Sequence, residues 1–344
     1  LVDGISVYPI AHLYELYQHL NGVELVTKIE PNKYIKTSTN RIHFALDFKD
    51  IRGQERAKRA LCIAAAGRHN ILLHGPPGTG KSMWAKSLLS ILPPLTKSER
   101  LAVTHLHSLA NRDYSTLIHE RPFRSPHHSA SSTAIVGGGA NPRPGEISLA
   151  HAGVLFLDEL PEFNRTTIEA LRQPLEDKTV RIVRAKDSVE FPADFMFVTT
   201  ANPCPCGLYG SQKTCVCTPM QIIHYQKKLS GPLMDRIDLF VRVDAVDPET
   251  IIHGDEATPS QTFQADIEHA ISLQYKRYGG TKLNNSLQAS EIHTKALVRK
   301  DAESLMLAAS RKLHLSSRAY IRCIRIARTI ADLSRSNEIT QTHM

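Results

Sequence analysis

The stretch "NILLHGPPGTGKS", residues 70 to 82, decides the fold. Ile71 to His74 form a short apolar run bounded by glycine and proline, the pattern of a buried strand. The next residues, Gly75, Pro76, Pro77, Gly78, Thr79, Gly80, Lys81 and Ser82, match the spacing G-x-x-x-x-G-K-[ST] in full. Met83, Trp84, Leu88, Ile91 and Leu92 then give the following segment one apolar face at helical spacing. Strand, glycine-rich turn and helix in this order make a phosphate cradle. Gly75, Gly78 and Gly80 admit backbone conformations that turn successive N–H groups inward, and the helix start adds partial positive charge. Lys81 is suited to the β- and γ-phosphates and the Ser82 hydroxyl to Mg2+, so the stretch predicts a nucleoside triphosphate site.

Outward from this loop, apolar runs alternate with helical patterns. Val154 to Leu157, Phe195 to Thr199 and Leu239 to Val243 read as further strands, which predicts a mainly parallel sheet flanked by helices. Beyond Asp247 and Pro248 only helical patterns remain; in "RAYIRCIRIARTIADL", Ile321, Ile324, Ile326, Ile330 and Leu333 mark an apolar stripe. The amino-terminal residues suggest a strand from Ile5 to Tyr8, a short helix in "AHLYELYQHLNG" and a polar linker over residues 23 to 40. The expected organisation is therefore an amino-terminal segment and linker over 1–40, an α/β core over 41–246 and a helical domain over 247–344.

With 344 residues, 42% hydrophobic and 22% charged, the chain is long enough for a sizeable core. No apolar run approaches bilayer length and no basic-then-apolar leader is present, so a cytoplasmic location without membrane contact is expected. A net charge of +8 is weak support for a polyanionic partner.

"GVLFLDEL" places Asp158 and Glu159 at the carboxyl end of an apolar strand. Asp158 is suited to the Mg2+ water shell and Glu159 to polarising an attacking water. The strand at Phe195 delivers Asn202 to the same edge, where α/β sheets bind ligands, as a neutral amide that can orient that water. "NPCPCGLYGSQKTCVC" follows, with Cys204, Cys206, Cys215 and Cys217 in two Cys-x-Cys pairs. Four clustered thiols in such a chain read as a structural Zn2+ site, with free or redox-labile thiols as the alternative. Cys62 and Cys323 read as ordinary buried residues. His127 and His128, adjacent in an extended segment, are expected to point opposite ways and share no metal.

In order, "GPPGTGKS", "GVLFLDE", "TTANPCPCG" and "SGPLMDRIDL" resemble the AAA+ ATPases, and specifically the ComM/YifB family of Mg-chelatase-like proteins. The stretch "RPFRSPHHSASSTAIVGGGANPRPGEISLAHAGVLFLDELPEF" carries the same resemblance. It implies an AAA+ P-loop αβα core with a helical lid, ATP as the nucleotide, and a fragment lacking a Lon-type amino-terminal domain and clipped near its carboxyl end. "GPLMDRIDL" matches the arginine-finger segment, so Arg236 would enter a neighbouring subunit's ATP site. "LSSRAY" matches the sensor-2 segment and assigns Arg318 as a second arginine near the γ-phosphate. An arginine acting in trans implies a closed ring, a hexamer by analogy.

Two inserts bear on substrate. Residues 123 to 145 are too rich in glycine and proline for a regular element and predict a projecting loop; residues 180 to 191 predict a hairpin turning at Ala185 to Ser188. The resemblance matches them to pore-facing inserts, which would make Arg181, Arg184 and Lys186 contacts to a DNA backbone. Two functions follow as expectations. One is a ring motor acting on single-stranded or branched DNA, a branch-migration helicase in recombination during natural transformation. The alternative is a chelatase-type or Lon-like ATPase that remodels protein.

Overall fold

A computed structural model describes residues 6–29, 46–110, 117–139, 141–183, 188–211, 213–229, 231–247, 249 and 258–344. They fall into two units, one within Leu1–His43 and one within Phe44–Met344. In the first, the expected helix spans Leu13–Leu20. The expected strand does not form over its described part. Ser6, Val7 and Tyr8 make no ladder, and one bond, from Ile29 N–H to the Val7 carbonyl at 2.9 Å, does not amount to one.

In the second unit the strands run in chain order as β1 (Ile71–His74), β2 (Phe123–Arg124), β3 (Gly137–Gly138), β4 (Arg143–Pro144), β5 (Val154–Leu157), β6 (Thr179–Val183), β7 (Ser188–Pro192), β8 (Met196–Ala201) and β9 (Leu239–Arg242). Five form one parallel sheet in the order β2-β5-β8-β1-β9. The central strands β1, β5 and β8 are covered on both faces, which is why they are mostly apolar rather than alternating. Ile71, Leu73, Phe156, Val198 and Val241 pack to one side with Trp84 and the helix Glu55–Gly67. Leu72, Leu155, Leu157 and Phe197 pack to the other with Ile147, Leu160, Phe163 and Leu171. Alternate residues of one strand thus feed two different cores.

The stretch expected to be a bare loop, residues 123 to 145, is more regular than its composition suggests. Phe123–Arg124 forms the sheet's edge, Ser132–Val136 is a helix, and β3 pairs antiparallel with β4. The glycines permit this: a β-carbon at Gly145 would lie 2.3 Å from the Gly137 nitrogen, so only glycine lets the strands approach. In the same segment the His127 and His128 rings do not point apart. Their centroids lie 4.0 Å apart, and His127 Nδ1 pairs with the Ser129 hydroxyl at 2.8 Å, so a local turn has drawn both rings to one side.

The carboxyl-terminal region is helical, with long helices Ser260–Tyr278, Lys300–Leu313 and Ser317–Leu333. Leu287, Ala296, Met306, Ile324, Ala327 and Ala331 form its core. Of the expected apolar stripe only Ile324 is fully buried; the helix instead buries Ala327, Arg328, Thr329, Ala331 and Asp332. The Nη1 and Nη2 groups of Arg328 bond Asp332 at 3.0 Å and the carbonyls of Ala296, Ser336 and Asn337, so its charge is neutralised, while its Nε is buried with no hydrogen-bond partner among the described residues. Cys62 and Cys323 are half-buried rather than buried; the Cys62 thiol is pushed up to about 12, first by desolvation and then by Asp266 and Glu55.

Candidate nucleotide site and its cysteine loop

Three chain segments leave the sheet at its carboxyl edge, where β1, β5 and β8 end. The turn after β1 needs glycine for two separate reasons. Gly78 and Gly80 have φ of +78° and +79°, the left-handed region. At Gly75 the constraint is space, because a β-carbon would lie 2.0 Å from the Val243 carbonyl oxygen. Lys81 is nearly buried, and its ammonium donates to the carbonyls of Gly75 and Pro76 at 2.8 and 2.6 Å and to Asn202 Oδ1 at 3.1 Å. Burial holds its pKa below the ordinary lysine value, while Asp158 and Glu159 pull the other way.

The acid pair follows β5. Ser82 Oγ donates to Asp158 Oδ2 at 2.9 Å, and Thr200 Oγ1 donates to Oδ1 at 2.6 Å. The Glu159 N–H donates to the same Thr200 oxygen at 2.8 Å, which fixes Glu159 in a left-handed backbone conformation, φ +54°. Asn202 Nδ2 donates to Glu159 Oε1 at 3.2 Å. Lys81, Asn202 and Glu159 therefore form a chain of alternating donor and acceptor, and Ser82 and Asp158 bring together two oxygens of the type that hard cations such as Mg2+ take as ligands. The residues of "GPPGTGKS", Asp158, Glu159 and Asn202 thus gather in one place.

Two further participants lie outside any recognisable motif. Thr200 ties the acid pair together, and its signal was a second polar residue at the end of an apolar strand. Gln54, itself at φ +57°, donates to the carbonyls of Thr79 and Asp244 at 3.1 and 2.8 Å and accepts from the Trp84 indole. Nothing in the sequence marks that role.

The four sulfurs of Cys204, Cys206, Cys215 and Cys217 lie within 4.8 Å of one another. Three separations are 3.4, 3.7 and 3.6 Å, far from disulfide length. Tetrahedral thiolates at the usual Zn–S distance stand about 3.8 Å apart, so the donor set fits one Zn2+. Backbone N–H groups of Cys206 and Tyr209 approach Cys217 and Cys204 Sγ at 3.4 Å each, as second-layer donors to thiolates do. The Cys206 thiol is lowered to about 6, chiefly by the N–H groups of Leu208 and Val216. At Cys215 a bond from Cys217 lowers the pKa, but desolvation and the neighbouring Cys206 and Cys204 sulfurs outweigh it and push it up to about 12. Crowded thiols cannot all ionise unless a cation joins them.

The family profile described as "Magnesium chelatase, subunit ChlI" matches residues 47–251, and "Magnesium chelatase, subunit ChlI C-terminal" matches 257–344. The chain is 44% identical to the uncharacterized protein YifB of Salmonella typhimurium over 300 residues, 87% of this chain and 59% of that protein. It is 42% identical to the competence protein ComM of Haemophilus influenzae over 351 aligned positions, 100% of this chain and 67% of that protein. This chain belongs to the ComM/YifB family. It spans 59 to 67% of the length of these two relatives. A more distant similarity, 29% over 181 residues, covering 46% of this chain and 33% of that protein, is to Lon protease 2 of Bacillus subtilis. The ComM/YifB family is Mg-chelatase-like and of AAA+ ATPase type, which implies ATP and Mg2+.

In this ComM/YifB chain the two arginines lie away from the chain's own phosphate loop. Arg236 precedes β9, and its carbonyl accepts from Asn70 Nδ2 at 2.8 Å at the amino end of β1. The four residues of β1, about 13 Å of extended chain, separate it from the loop. Arg236 pairs with Glu176, and its Nε is buried with no hydrogen-bond partner among the described residues. Arg318 lies 3.8 Å from the same Glu176. The two arginines are therefore neighbours, with Arg322 and Arg325 lining the same 470 Å³ cavity.

The hairpin forms as β6 and β7, antiparallel, with Arg181 opposite Glu190 and ion-paired to it at 2.9 Å. Arg184 and Lys186 lie outside the described residues. No helix among the described residues is long and apolar enough to cross a membrane.

Proposed function

We propose that this chain is the ATP-hydrolysing motor of a ring, a hexamer by analogy, that acts on single-stranded or branched DNA as a branch-migration helicase in recombination during natural transformation. The observation that carries the reading is the split of the charged machinery between the two ends of the sheet. Lys81, Ser82, Asp158, Glu159 and Asn202 gather at the carboxyl edge, while Arg236 and Arg318 sit together at the amino edge. In this reading Ser82 and Asp158 hold Mg2+, Lys81 and the Gly75 to Gly80 backbone hold phosphate, Glu159 polarises water oriented by Asn202, and a neighbour's Arg236 and Arg318 neutralise charge on the transferring phosphoryl group. Assembly into a ring supplies that neighbour. Cys204, Cys206, Cys215 and Cys217 hold a structural Zn2+.

DNA as the partner is supported by the net charge of +8, by the name of the competence protein ComM and by the basic residues Arg181, Arg184 and Lys186 in the sequence of residues 180 to 191. The similarity to a Lon protease favours a second reading, remodelling of a protein client. ATP turnover by the purified chain with and without a branched DNA separates the two, with Lys81→Ala as the control for contaminating ATPases. Stimulation that fades as salt rises is expected; turnover indifferent to DNA overturns the DNA reading.

A further inference from the structure

The cysteine loop is joined to the phosphate loop by more than proximity. Cys204 is fully buried two residues after Asn202, which itself accepts from Lys81. Between the two cysteine pairs the backbone turns back through Gly207, whose N–H donates to the Cys204 carbonyl at 2.9 Å. Gly207 has φ +79°, and a β-carbon there would lie 2.5 Å from Cδ and 3.0 Å from Cγ of Pro77. The turn of the cysteine loop is thus in direct contact with the ring of a phosphate-loop proline. Three other anchors hold the surroundings. Gly75 N–H donates to the Ala201 carbonyl at 3.2 Å, Gln226 Nε2 to the Pro203 carbonyl at 3.3 Å, and Arg242 Nη2 to the Gly210 carbonyl at 3.3 Å. Farther along the loop, Gly210 offers a contrast. Its φ is +74°, yet a β-carbon there would meet nothing within 4 Å.

We propose that the cysteine loop is a positioning element of the nucleotide site, in which Zn2+ bound by Cys204, Cys206, Cys215 and Cys217 fixes Gly207 against Pro77 and so holds the phosphate loop in its binding shape. The proposal rests on the reading of the four cysteines as one zinc site and of the phosphate loop as a nucleotide site. Without the metal, the segment between the cysteine pairs keeps only backbone turns, and Pro77 loses a fixed wall. A tenfold change in affinity needs only about 1.4 kcal/mol, the scale on which a small displacement of a preorganised loop acts.

The test combines zinc content by plasma mass spectrometry with calorimetric titration of ADP and Mg2+ into the purified chain. One zinc per chain is expected. Gly207→Ala should retain that zinc and bind ADP roughly tenfold more weakly. Gly210→Ala carries the same backbone strain without the contact and should bind as wild type does. Cys215→Ser, and wild type stripped of metal by a chelator, should lose zinc and weaken like Gly207→Ala. If Gly207→Ala keeps zinc and binds ADP normally, or if both glycine variants weaken alike, the positioning role is overturned. Absence of zinc from wild type overturns the metal reading, and failure of wild type to bind ADP overturns the nucleotide reading; each is seen separately.

Discussion

Thr200→Val removes one hydroxyl from a fully buried position at nearly constant volume. The hydroxyl makes two bonds, donating to Asp158 Oδ1 at 2.6 Å and accepting from the Glu159 N–H at 2.8 Å. A hydrogen bond to a charged group contributes about 1.5–3 kcal/mol, and an N–H left unsatisfied costs about 1–3 kcal/mol more when buried. Glu159 faces solvent, so water recovers part of the second term and the lower ends apply, about 2–3 kcal/mol in all. In a domain of this size that is a fall in Tm of about 5–10 °C. The effect on turnover should be larger than on binding. The Thr200 hydroxyl bonds the two acids rather than Lys81 or the glycines, so it sets the orientation of both acids, and without it Glu159 loses the bond to its left-handed backbone. ATP hydrolysis is expected to fall about 10- to 100-fold with ADP affinity within about threefold of wild type, while Thr200→Ser stays near wild type in both. Steady-state hydrolysis, calorimetry and a thermal melt give the three numbers. Wild-type turnover by Thr200→Val would refute the argument that this hydroxyl organises the acid pair.

Arg236→Ala should bind ADP normally yet hydrolyse ATP at no more than about a hundredth of the wild-type rate. Mixed with Lys81→Ala it should regain activity, since one partner keeps the arginine and the other the phosphate loop; mixtures as inactive as either parent would rule out a site shared between subunits. Acid should destabilise the fold through Glu99 and Asp194. Burial alone would raise both, but Arg121 and Arg68 around Glu99, and Arg68 and Lys178 around Asp194, hold them below the ordinary carboxylate range. Their stabilisation is full above the unfolded value, about pH 4–4.5, and is lost as pH falls through the depressed folded values. Glu99→Gln should flatten the melting curve between about pH 5 and 3, and a curve parallel to wild type over that range would show that Glu99 does not contribute.

The site was more legible than the surfaces around it. Phosphate loop, acid pair and Asn202 each follow a short strand that begins with a run of three or four apolar residues, so a local pattern fixes both the strand and the polar residues at its end. Gly75 was marked as glycine by the spacing, but its reason, the Val243 carbonyl, comes from a strand far along the chain. The helix Ser317–Leu333 misled for a similar reason. Isoleucine spacing suggested an apolar face, whereas Arg328 and Asp332 are buried because Arg277, Asn284 and backbone carbonyls from other segments receive them. Adjacent histidines point to opposite sides only in an extended chain, and at His127 and His128 the backbone turns. Glu176, which holds Arg236 and neighbours Arg318, has no local signature at all.

Trp84 is the chain's single tryptophan, fully buried edge-on to Phe48 with ring centroids 5.5 Å apart. Its indole N–H donates to Gln54, and Gln54 donates to the Thr79 carbonyl inside the phosphate loop. The protein thus carries a built-in optical probe two hydrogen bonds from the phosphates' seat, with no second indole to blur it. Its emission gives a dye-free record of that loop's rearrangement in stopped-flow mixing; a trace that stays flat while calorimetry shows saturation would mean the Gln54 link does not move.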